Sequence, residues 1–466
     1  MMKVNIIGAG ILGISLGILL IEQGYEVDIF EKKLYSGGSF IPFKNEELYD
    51  YKIQYSDISL EYLEKYRYTI FKEIKFKKIK IYKYIQLKNK GKIELKLGRE
   101  NIEKVFYSNC KNNDAEIVKY IFECVDTLHE FKENKKDLKE KKFLDRIKKL
   151  FSRKKEDIKD YKKKSVEDVI DMIESDELRE IIKSLANKKA SYMYLLDILY
   201  KISYSEIFVF DEDIRDIILK LEKKFLDKGG KIEYNSKVKI INSGEKETVI
   251  SVNGEKKYCE KIIIASSNIS DIVDILDEKY SMDKLEKVIS NSIIYDSYVI
   301  VNLVLKKSFN RFEGINRFVA VEPFVDNVGA FHRKYEIYGK EINGKQNVSI
   351  YIRGNFAYWS KIDKYKLIDE NLSKTLVSRL IIEEVSKKVP DIKDNIENAY
   401  VITPYEVYKE NNLFIGSVRG IIPTSDNYGK IVNLIDKDSS IKCFEIKLDS
   451  KAFLEKIFEN IELLLS

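Results

Sequence analysis

The residues of this chain that could hold a cofactor are concentrated near its start. Gly8, Gly10 and Gly13 follow a short apolar stretch in the spacing Gly-x-Gly-x-x-Gly. Such spacing predicts a tight turn from a strand into a helix at Gly8, a close approach of a pyrophosphate to the backbone at Gly10, and close packing of helix on strand at Gly13. These glycines therefore predict dinucleotide binding.

The helix that begins near Gly10 is expected to take part in this binding. Its first N–H groups have no partner within the helix, and its positive dipole end attracts an anion without any lysine. We therefore count Ile11 and Leu12, the first residues of the helix, among the candidate cofactor-binding residues.

A carboxylate follows the second predicted strand, which runs from Glu26 to Phe30. Glu31 lies about 20 residues beyond the glycines, where an acidic side chain accepts hydrogen bonds from a ribose hydroxyl. Its charge would repel a 2′-phosphate, so NADP is disfavoured. NAD and FAD both remain open on this criterion.

The next residues narrow the choice of cofactor. Residues 31–38 read Glu-Lys-Lys-Leu-Tyr-Ser-Gly-Gly, and this sequence resembles the tail of the dinucleotide motif in the flavin-dependent amine oxidase and phytoene desaturase superfamily. The resemblance implies FAD, with Lys32 among the residues near it and with Gly37 and Gly38 close to its phosphate and ribityl region. Paired glycines supply the freedom of φ and the absence of side chains that this approach requires.

A second segment in the middle of the chain supports the resemblance. Asp213 to Asp227 has the periodicity of an amphipathic helix, and Gly229 and Gly230 follow it as helix-ending residues. Short predicted strands come next, and the apolar run 262–265 is similar to the superfamily's return to the nucleotide-binding sheet. In the superfamily, a valine at the position of Val238 offers its backbone to the adenine ring.

The resemblance implies an α/β fold with two domains. A Rossmann-like FAD/NAD(P)-binding domain is expected to be assembled from the discontinuous segments 1–60, 205–275 and 400–466. Segments 61–204 and 276–399 are expected to form an α+β substrate-binding or cap domain. Within the second domain, periodicity predicts helices between residues 165 and 200, strands at Tyr298 to Leu305 and Val348 to Ile352, and a helix from Leu367 to Val389.

Two segments depart from the superfamily's pattern. Near the C-terminus its members carry a glycine followed by an acid that holds the ribityl-phosphate arm of the flavin, whereas this chain has Gly416 followed by Ser417. Ser417 could act as a neutral hydrogen-bond partner there. The glycine-rich sequence expected before the middle helix is replaced by residues 208–212. A final helix is predicted from Ala452 to Leu465.

Other chemistries find little support in the sequence. The four cysteines have no metal-ligand spacing, and the two histidines, His129 and His332, are too few for a three-histidine zinc site. No Gly-x-Ser-x-Gly turn accompanies either histidine. We therefore expect no metal, assign no catalytic side chain, and expect the chemistry to reside in the bound cofactor.

Charge patterning marks residues 132–164, which contain 16 Lys or Arg and 7 Asp or Glu, a balance of +9 against +6 for all 466 residues. Apolar residues at helical spacing within it predict a basic amphipathic helix. The helix could pack its apolar stripe on the protein or contact an anionic membrane surface. Nucleic acid is disfavoured because no recognised binding module is present. With 34% charged residues and a mean hydropathy of −0.31, we expect a cytoplasmic protein. Residues 132–164 could place it at the periphery of a membrane.

The sequence thus predicts an FAD-dependent, phytoene desaturase-like oxidoreductase that moves hydride between a small lipophilic, isoprenoid-like or carotenoid-like substrate and the flavin. Three alternatives stay open: an amine oxidase, a flavin-dependent isomerase without net redox, and a flavin-poor binding protein without catalysis. Neither the substrate, the direction of electron flow nor the oligomeric state follows from the sequence.

Overall fold

A computed structural model of the protein describes residues 2–38, 58–87, 91–134, 163–243, 248–265, 269–276, 292–312, 314–342, 344–365, 369–418, 420–426, 431–432, 441–443 and 446–447. The predicted C-terminal helix and most of the basic segment 132–164 lie outside the described residues. Both stay predictions.

The strands within these ranges are β1 (Lys3–Ile7), β2 (Glu26–Phe30), β3 (Ile58–Ser59), β4 (Phe76–Lys78), β5 (Ile81–Gln86), β6 (Lys92–Lys96), β7 (Ile207–Phe210), β8 (Lys231–Glu233), β9 (Val238–Ser243), β10 (Thr248–Val252), β11 (Glu255–Cys259), β12 (Lys261–Ile264), β13 (Tyr298–Leu305), β14 (Gly314–Val325), β15 (Phe331–Ile342), β16 (Lys345–Arg353), β17 (Ile396–Ile402), β18 (Ile431–Val432), β19 (Ile441–Cys443) and β20 (Ile446–Lys447).

The α-helices are α1 (Ile11–Glu22), α2 (Leu60–Tyr66), α3 (Arg99–Tyr107), α4 (Asp114–Asn134), α5 (Val166–Ile170), α6 (Asp176–Leu185), α7 (Tyr192–Tyr204), α8 (Ile214–Asp227), α9 (Ile269–Ile275), α10 (Phe356–Tyr365), α11 (Glu370–Ser386) and α12 (Pro404–Asn411). Single 3₁₀ turns occur at Asn310–Phe312, Pro390–Asn395 and Phe414–Gly416.

A parallel sheet in the order β19-β12-β1-β2-β8 forms the first layer of the protein. Its central strand β1 is buried on both faces, because alternate residues of β1 enter different cores. Val4 and Ile6 pack with α1 and α8, whereas Ile7 packs with β9 and β10 on the other side. Near-continuous apolar strands are typical of parallel sheets covered on both faces. This layer confirms the predicted Rossmann-like α/β class.

A seven-stranded sheet in the order β17-β13-β16-β15-β14-β5-β6 forms the second large layer. All neighbours in it are antiparallel except β14 and β5. The helices α10 and α11 cover one face, where alternate strand residues pack with residues of the helices. The strands contribute Val299, Val301, Ile350 and Ile352, and the helices contribute Trp359, Ile362, Val377 and Ile381. The opposite face is more polar and is the one described further below.

Helices α3 to α7 form a third body around one apolar core. Side chains cap the starts of α5, α6 and α7. At α5 the hydroxyl of Ser165 accepts from Asp168 N while the Asp168 carboxylate accepts from Ser165 N, and Ser175 and Ser191 cap α6 and α7. Such caps satisfy N–H groups that a helix leaves without partners. The helices predicted between residues 165 and 200 are therefore confirmed.

Most predicted elements occur at their predicted places. Strand β13 has the predicted bounds, β16 extends beyond the predicted 348–352, and α8 starts one residue after Asp213, which is its N-cap. Helix α11 is shorter than the predicted 367–389, because Asp369 caps its start and the chain leaves the helix before the 3₁₀ turn at Pro390. Of residues 208–212, which replace the expected glycines, the first three belong to β7, which lies between β3 and β4.

The core of the parallel sheet extends beyond residue 60, since Tyr66, Ile70 and Phe71 pack in it. The predicted domain boundaries themselves stay predictions. Among the described residues, no helix combines the length and the apolar character that crossing a membrane would require.

Candidate functional site

The glycine turn between β1 and α1 is built from contacts that admit no side chain at two of its positions. Gly8 has a φ of +109°, and its N–H donates to Phe30 O at 2.8 Å. A Cβ at Gly13 would lie 2.0 Å from Gly8 O. Gly8 is therefore required by backbone conformation, and Gly13 by the approach of helix to strand.

Gly10 differs from Gly8 and Gly13, because its own conformation and packing do not require glycine. Its φ of −72° and ψ of 172° are open to any residue. Among the described residues, a Cβ there would meet only Gly38 Cα, at 3.8 Å, which is ordinary contact. The fold as described therefore does not itself require glycine at this position. A ligand lying against the backbone would require it.

The start of α1 faces this same place. Gly10 is its N-cap and supplies no side-chain hydrogen bond, and the first backbone bond of the helix runs from Ile14 N to Gly10 O at 3.0 Å. The N–H groups of Ile11, Leu12 and Gly13 thus have no acceptor within the helix. Together with the helix dipole they form a site that suits a phosphate.

Gly37 and Gly38 close the turn from the other side. Gly37 N donates to Ala9 O at 2.9 Å, and Gly37 and Gly38 have φ values of +123° and +56°. A Cβ at Gly38 would lie 3.2 Å from Gly10 Cα. The glycine pair, named from the sequence alone, therefore lies directly against the glycine turn.

Glu31 is the buried anion of the site, with 4% of its surface exposed. Its Oε2 accepts from Ala9 N at 2.7 Å and its Oε1 accepts from Lys33 N at 2.8 Å. Burial raises the pKa of Glu31, and these two backbone donors oppose the rise. Each carboxylate oxygen keeps a further lone pair with which it could accept from a ribose hydroxyl.

Replacing Glu31 by alanine is expected to weaken binding of a dinucleotide, for which FAD is the candidate, by about 1–3 kcal/mol, because charged hydrogen bonds to the ribose are lost. The unbound protein should lose stability as well, since Ala9 N–H is left without its acceptor in a buried turn. Flavin titration and urea unfolding of the apoprotein measure the two effects. Glu31→Gln, which keeps one acceptor oxygen, should lie between alanine and wild type; an unchanged flavin affinity in both variants would contradict the assignment.

Two lysines follow Glu31, and their side chains contact different parts of the protein. Lys32 Nζ lies 2.7 Å from Asp271 Oδ1 on α9, so its charge is already paired. Lys33 Nζ donates to Asn411 Oδ1 at 3.2 Å, and burial lowers the pKa of Lys33. Lys33 was not singled out from the sequence, because only the fold reveals that it points inward.

The loop between β8 and β9 packs on the segment that carries Glu31. Ser236 N donates to Glu31 O at 2.8 Å and Asn235 N donates to Lys33 O at 3.0 Å. The hydroxyls of Ser36 and Tyr234 share a hydrogen bond of 2.8 Å. Val238, the candidate adenine contact, is buried and starts β9 just after this loop.

The Gly416–Ser417 segment follows α12. Gly416 has a φ of +65°, and a Cβ there would lie 1.9 Å from Pro404 O, so packing alone accounts for this glycine. Ser417 is 2% exposed, and its hydroxyl has no hydrogen-bond partner among the described residues. A buried hydroxyl without a partner is uncommon and suggests a group that binds there.

The histidines occupy structural surroundings. His332 is buried with its Nε2 2.9 Å from Asp326 Oδ2, while Asp326 Oδ1 accepts from two backbone N–H groups of the same turn. His129 stacks on Tyr204 at 3.8 Å. Within the described parts of the chain, no group of three or more His, Cys, Asp or Glu side chains could hold a metal ion.

Among the cysteines, Cys124 and Cys259 are buried. Cys110 is partly exposed, and its partial burial raises its pKa to about 11.

Comparison with known proteins agrees with this geometry. Residues 6–64 match the family model of the NAD(P)-binding Rossmann-like domain, which spans the glycine turn, Glu31 and the glycine pair. The sequence matches that of no curated protein.

Several solved structures share the fold along the whole chain. An oxidoreductase from Methanosarcina mazei has 12% identity and a TM-score of 0.58, with 100% of both chains covered. A double mutant of putrescine oxidase has 11% identity and a TM-score of 0.60, again with 100% of both chains covered. Cyclohexylamine oxidase from Brevibacterium oxydans has 12% identity, a TM-score of 0.56 and the same coverage. The protein thus has the mixed α/β fold of these oxidases, as the superfamily resemblance predicted.

Proposed function

We propose that this protein is an FAD-dependent oxidoreductase that moves hydride between a carbon of a small substrate and the flavin. The observation that carries the proposal is Gly10: its φ is open to any residue and its Cβ position is clear of the described protein atoms. A dinucleotide pyrophosphate at the start of α1 explains why this position is glycine.

The residues around Gly10 favour FAD over the nicotinamide cofactors. The buried carboxylate of Glu31 disfavours the 2′-phosphate of NADP. The contact of Gly37 and Gly38 with the glycine turn supports a place for this pair near the phosphate and ribityl region of a flavin. Ser417 adds a buried hydroxyl that has no partner within the described part of the chain, at the position where the resemblance predicts an acid. The residues present therefore fit FAD.

When bound, a flavin supplies the site at which a hydride is accepted or donated. Glu31 would hold a ribose, the N–H groups of Ile11 and Leu12 would hold a phosphate, and the backbone of Val238 would adjoin the adenine. The protein's contribution is then binding, orientation and exclusion of water. No side chain of the described residues is assigned as an acid or a base.

Replacing Ser417 by alanine is expected to leave the stability of the apoprotein within about 0.5 kcal/mol of wild type, because its hydroxyl makes no hydrogen bond there. Flavin binding should weaken by about 1 kcal/mol, the contribution of one hydrogen bond. Thermal unfolding without flavin and flavin titration measure the two effects. Ser203→Ala, which removes another buried hydroxyl without a described partner, is the matched control and should not alter flavin affinity. A loss of apoprotein stability without a change in flavin affinity would contradict the role of Ser417.

The substrate class is tested by mixing the flavin-loaded protein anaerobically with candidate reductants and following the flavin absorbance. A phytoene desaturase-like activity predicts bleaching by an apolar isoprenoid or carotenoid precursor and a product two mass units lighter. An amine substrate is the second candidate, because two proteins of the same fold are named as amine oxidases. Turnover without a mass change would identify the isomerase alternative, and no turnover with either class would contradict the proposed activity.

Contact of residues 132–164 with an anionic membrane surface remains part of the proposal, with a cytoplasmic location. Its support is the charge pattern of that segment.

A further inference from the structure

The polar face of the seven-stranded sheet carries a group of charged side chains. Arg317 on β14 lies opposite Glu336 on β15, and Val319 lies opposite Lys334. Arg317 also lies opposite Ile85 on β5, so Lys83, two residues earlier, is on the same face. Alternate residues of a strand share a face, and the register therefore brings these four charged residues together.

Helix α6 lies against this face and adds two more charges. Arg317 Nη1 donates to Lys183 O at 2.6 Å, and Lys83 Nζ donates to Ser184 O at 2.8 Å. The carboxylate of Glu180 forms an ion pair with Lys334, and its Oε1 also accepts from Lys183 Nζ at 3.3 Å. The helix and the sheet thus enclose the charges between them.

The positive charges outnumber the carboxylates that reach them. Lys183 and Lys334 share the single carboxylate of Glu180. Arg317 has no carboxylate within 4 Å among the described residues, and the Lys183 carbonyl is its hydrogen-bond acceptor. Lys83 Nζ and Glu336 Oε1 form a separate ion pair at 3.7 Å. Three cations therefore surround one anion at this point.

The pKa values of Lys334 and Glu180 reflect the close approach of these positive charges. Burial, followed by repulsion from Arg317, lowers the pKa of Lys334 to about 8. Burial acts to raise the pKa of Glu180, but Lys334, Arg317 and Lys183 outweigh it, so that this pKa is lowered. Uncompensated charge in a partly desolvated place is costly unless a counter-ion is present.

The group is also accessible. The side chains of Lys334 and Glu180 keep 29% and 20% of their surface exposed, so a small ion can reach them from solvent. One hydrogen bond of the Arg317 guanidinium is formed within the described residues, to Lys183 O. A planar guanidinium suits bidentate contact with a carboxylate or phosphate.

We propose that Arg317, Lys334 and Lys183 form a binding site for an oxyanion, a carboxylate or phosphate group carried by a ligand. Glu180 orients the two lysines from α6. The site is separate from the glycine turn, and its occupation does not depend on flavin.

The test is calorimetric titration of the full-length protein with sulfate, whose charge does not change near neutral pH. Wild type is expected to bind it, and Lys334→Gln and Arg317→Gln should each weaken binding about tenfold or more through loss of a buried charged contact. Lys188→Gln is the matched control, since it removes the same charge from an exposed ion pair with Glu167. Titration with inorganic phosphate and with succinate then distinguishes a phosphate ligand from a carboxylate ligand.

The pH dependence gives a second readout. The groups facing Lys334 are Glu180 and Lys183 from α6 and Arg317 from β14. Because the bound anion favours protonated Lys334, sulfate affinity should be highest below about pH 8 and should fall as the pH rises above the pKa of Lys334.

A further test uses the wild-type protein, so its result does not depend on whether a variant folds. Acylation of Lys334, followed by mass spectrometry, should be slowed by sulfate, whereas acylation of Lys188 should not. Absence of this protection, or equal sulfate affinity in Lys334→Gln and the Lys188→Gln control, would overturn the site.

Discussion

Replacing Gly10 by valine is expected to abolish flavin retention while the protein remains folded. The backbone at Gly10 is extended, with a φ of −72°, and within the described ranges a Cβ would contact only Gly38 Cα, at 3.8 Å. The larger side chain would occupy the place proposed for the pyrophosphate. Flavin content per mole of purified protein measures the first effect, and circular dichroism with thermal unfolding measures the second.

Gly91→Val is the control for this experiment. Gly91 has no neighbour within 4 Å of its Cβ position, and it lies outside the glycine turn. The control should keep wild-type flavin content. If Gly10→Val also kept it, the pyrophosphate would not lie against Gly10, and the proposed cofactor site would be wrong. Gly10→Ala, with a single added carbon, should show a partial loss.

Replacing Gly13 by valine, in contrast to Gly10→Val, is expected to destabilise the fold itself. The protein should lose stability whether or not flavin is present. A Cβ at Gly13 would lie 2.0 Å from Gly8 O and 3.2 Å from Ala265 Cβ. Phe225 and Ile29 pack on the same face of α1 one turn later, at Gly17, so a shift of the helix that relieved the clash at Gly13 would disturb this packing as well. The loss of unfolding free energy should be about 3 kcal/mol or more.

Urea unfolding of the apoprotein measures this loss, with Gly10→Val as the matched comparison, because both variants add the same side chain three residues apart. The midpoint should fall strongly for Gly13→Val and little for Gly10→Val. Equal midpoints would show that the two glycines do not have the separate roles described for them.

The segment proposed to hold the cofactor could be predicted from the sequence, because the sequence patterns that define it are local. The glycine spacing, the apolar strands and the acid at Glu31 act over about 30 residues, and capping residues such as Asp213 mark where helices begin. The sequence could not reveal that Gly10 is free of internal packing whereas Gly13 is not. That difference depends on how closely α1 approaches β1.

The charged group on the polar face could not be predicted. Arg317 and Lys83 become neighbours only through the parallel pairing of β5 with β14, more than 200 residues apart in the chain. Each residue appears in the sequence as an ordinary surface charge, because lysine pervades the composition. The same holds for Ser417, whose type suggests a neutral substitute for an acid, but whose lack of a partner is visible only once α12 and its turn are folded.

The visible absorption spectrum of the purified protein, with the supernatant examined again after heat denaturation, tests the flavin proposal most directly. Bands at about 375 and 450 nm, the approximate positions for an oxidised flavin with its own chemistry, are expected in the protein and in the released supernatant. A protein without these bands, even after incubation with FAD, would contradict flavin binding and would favour a binding protein without catalysis.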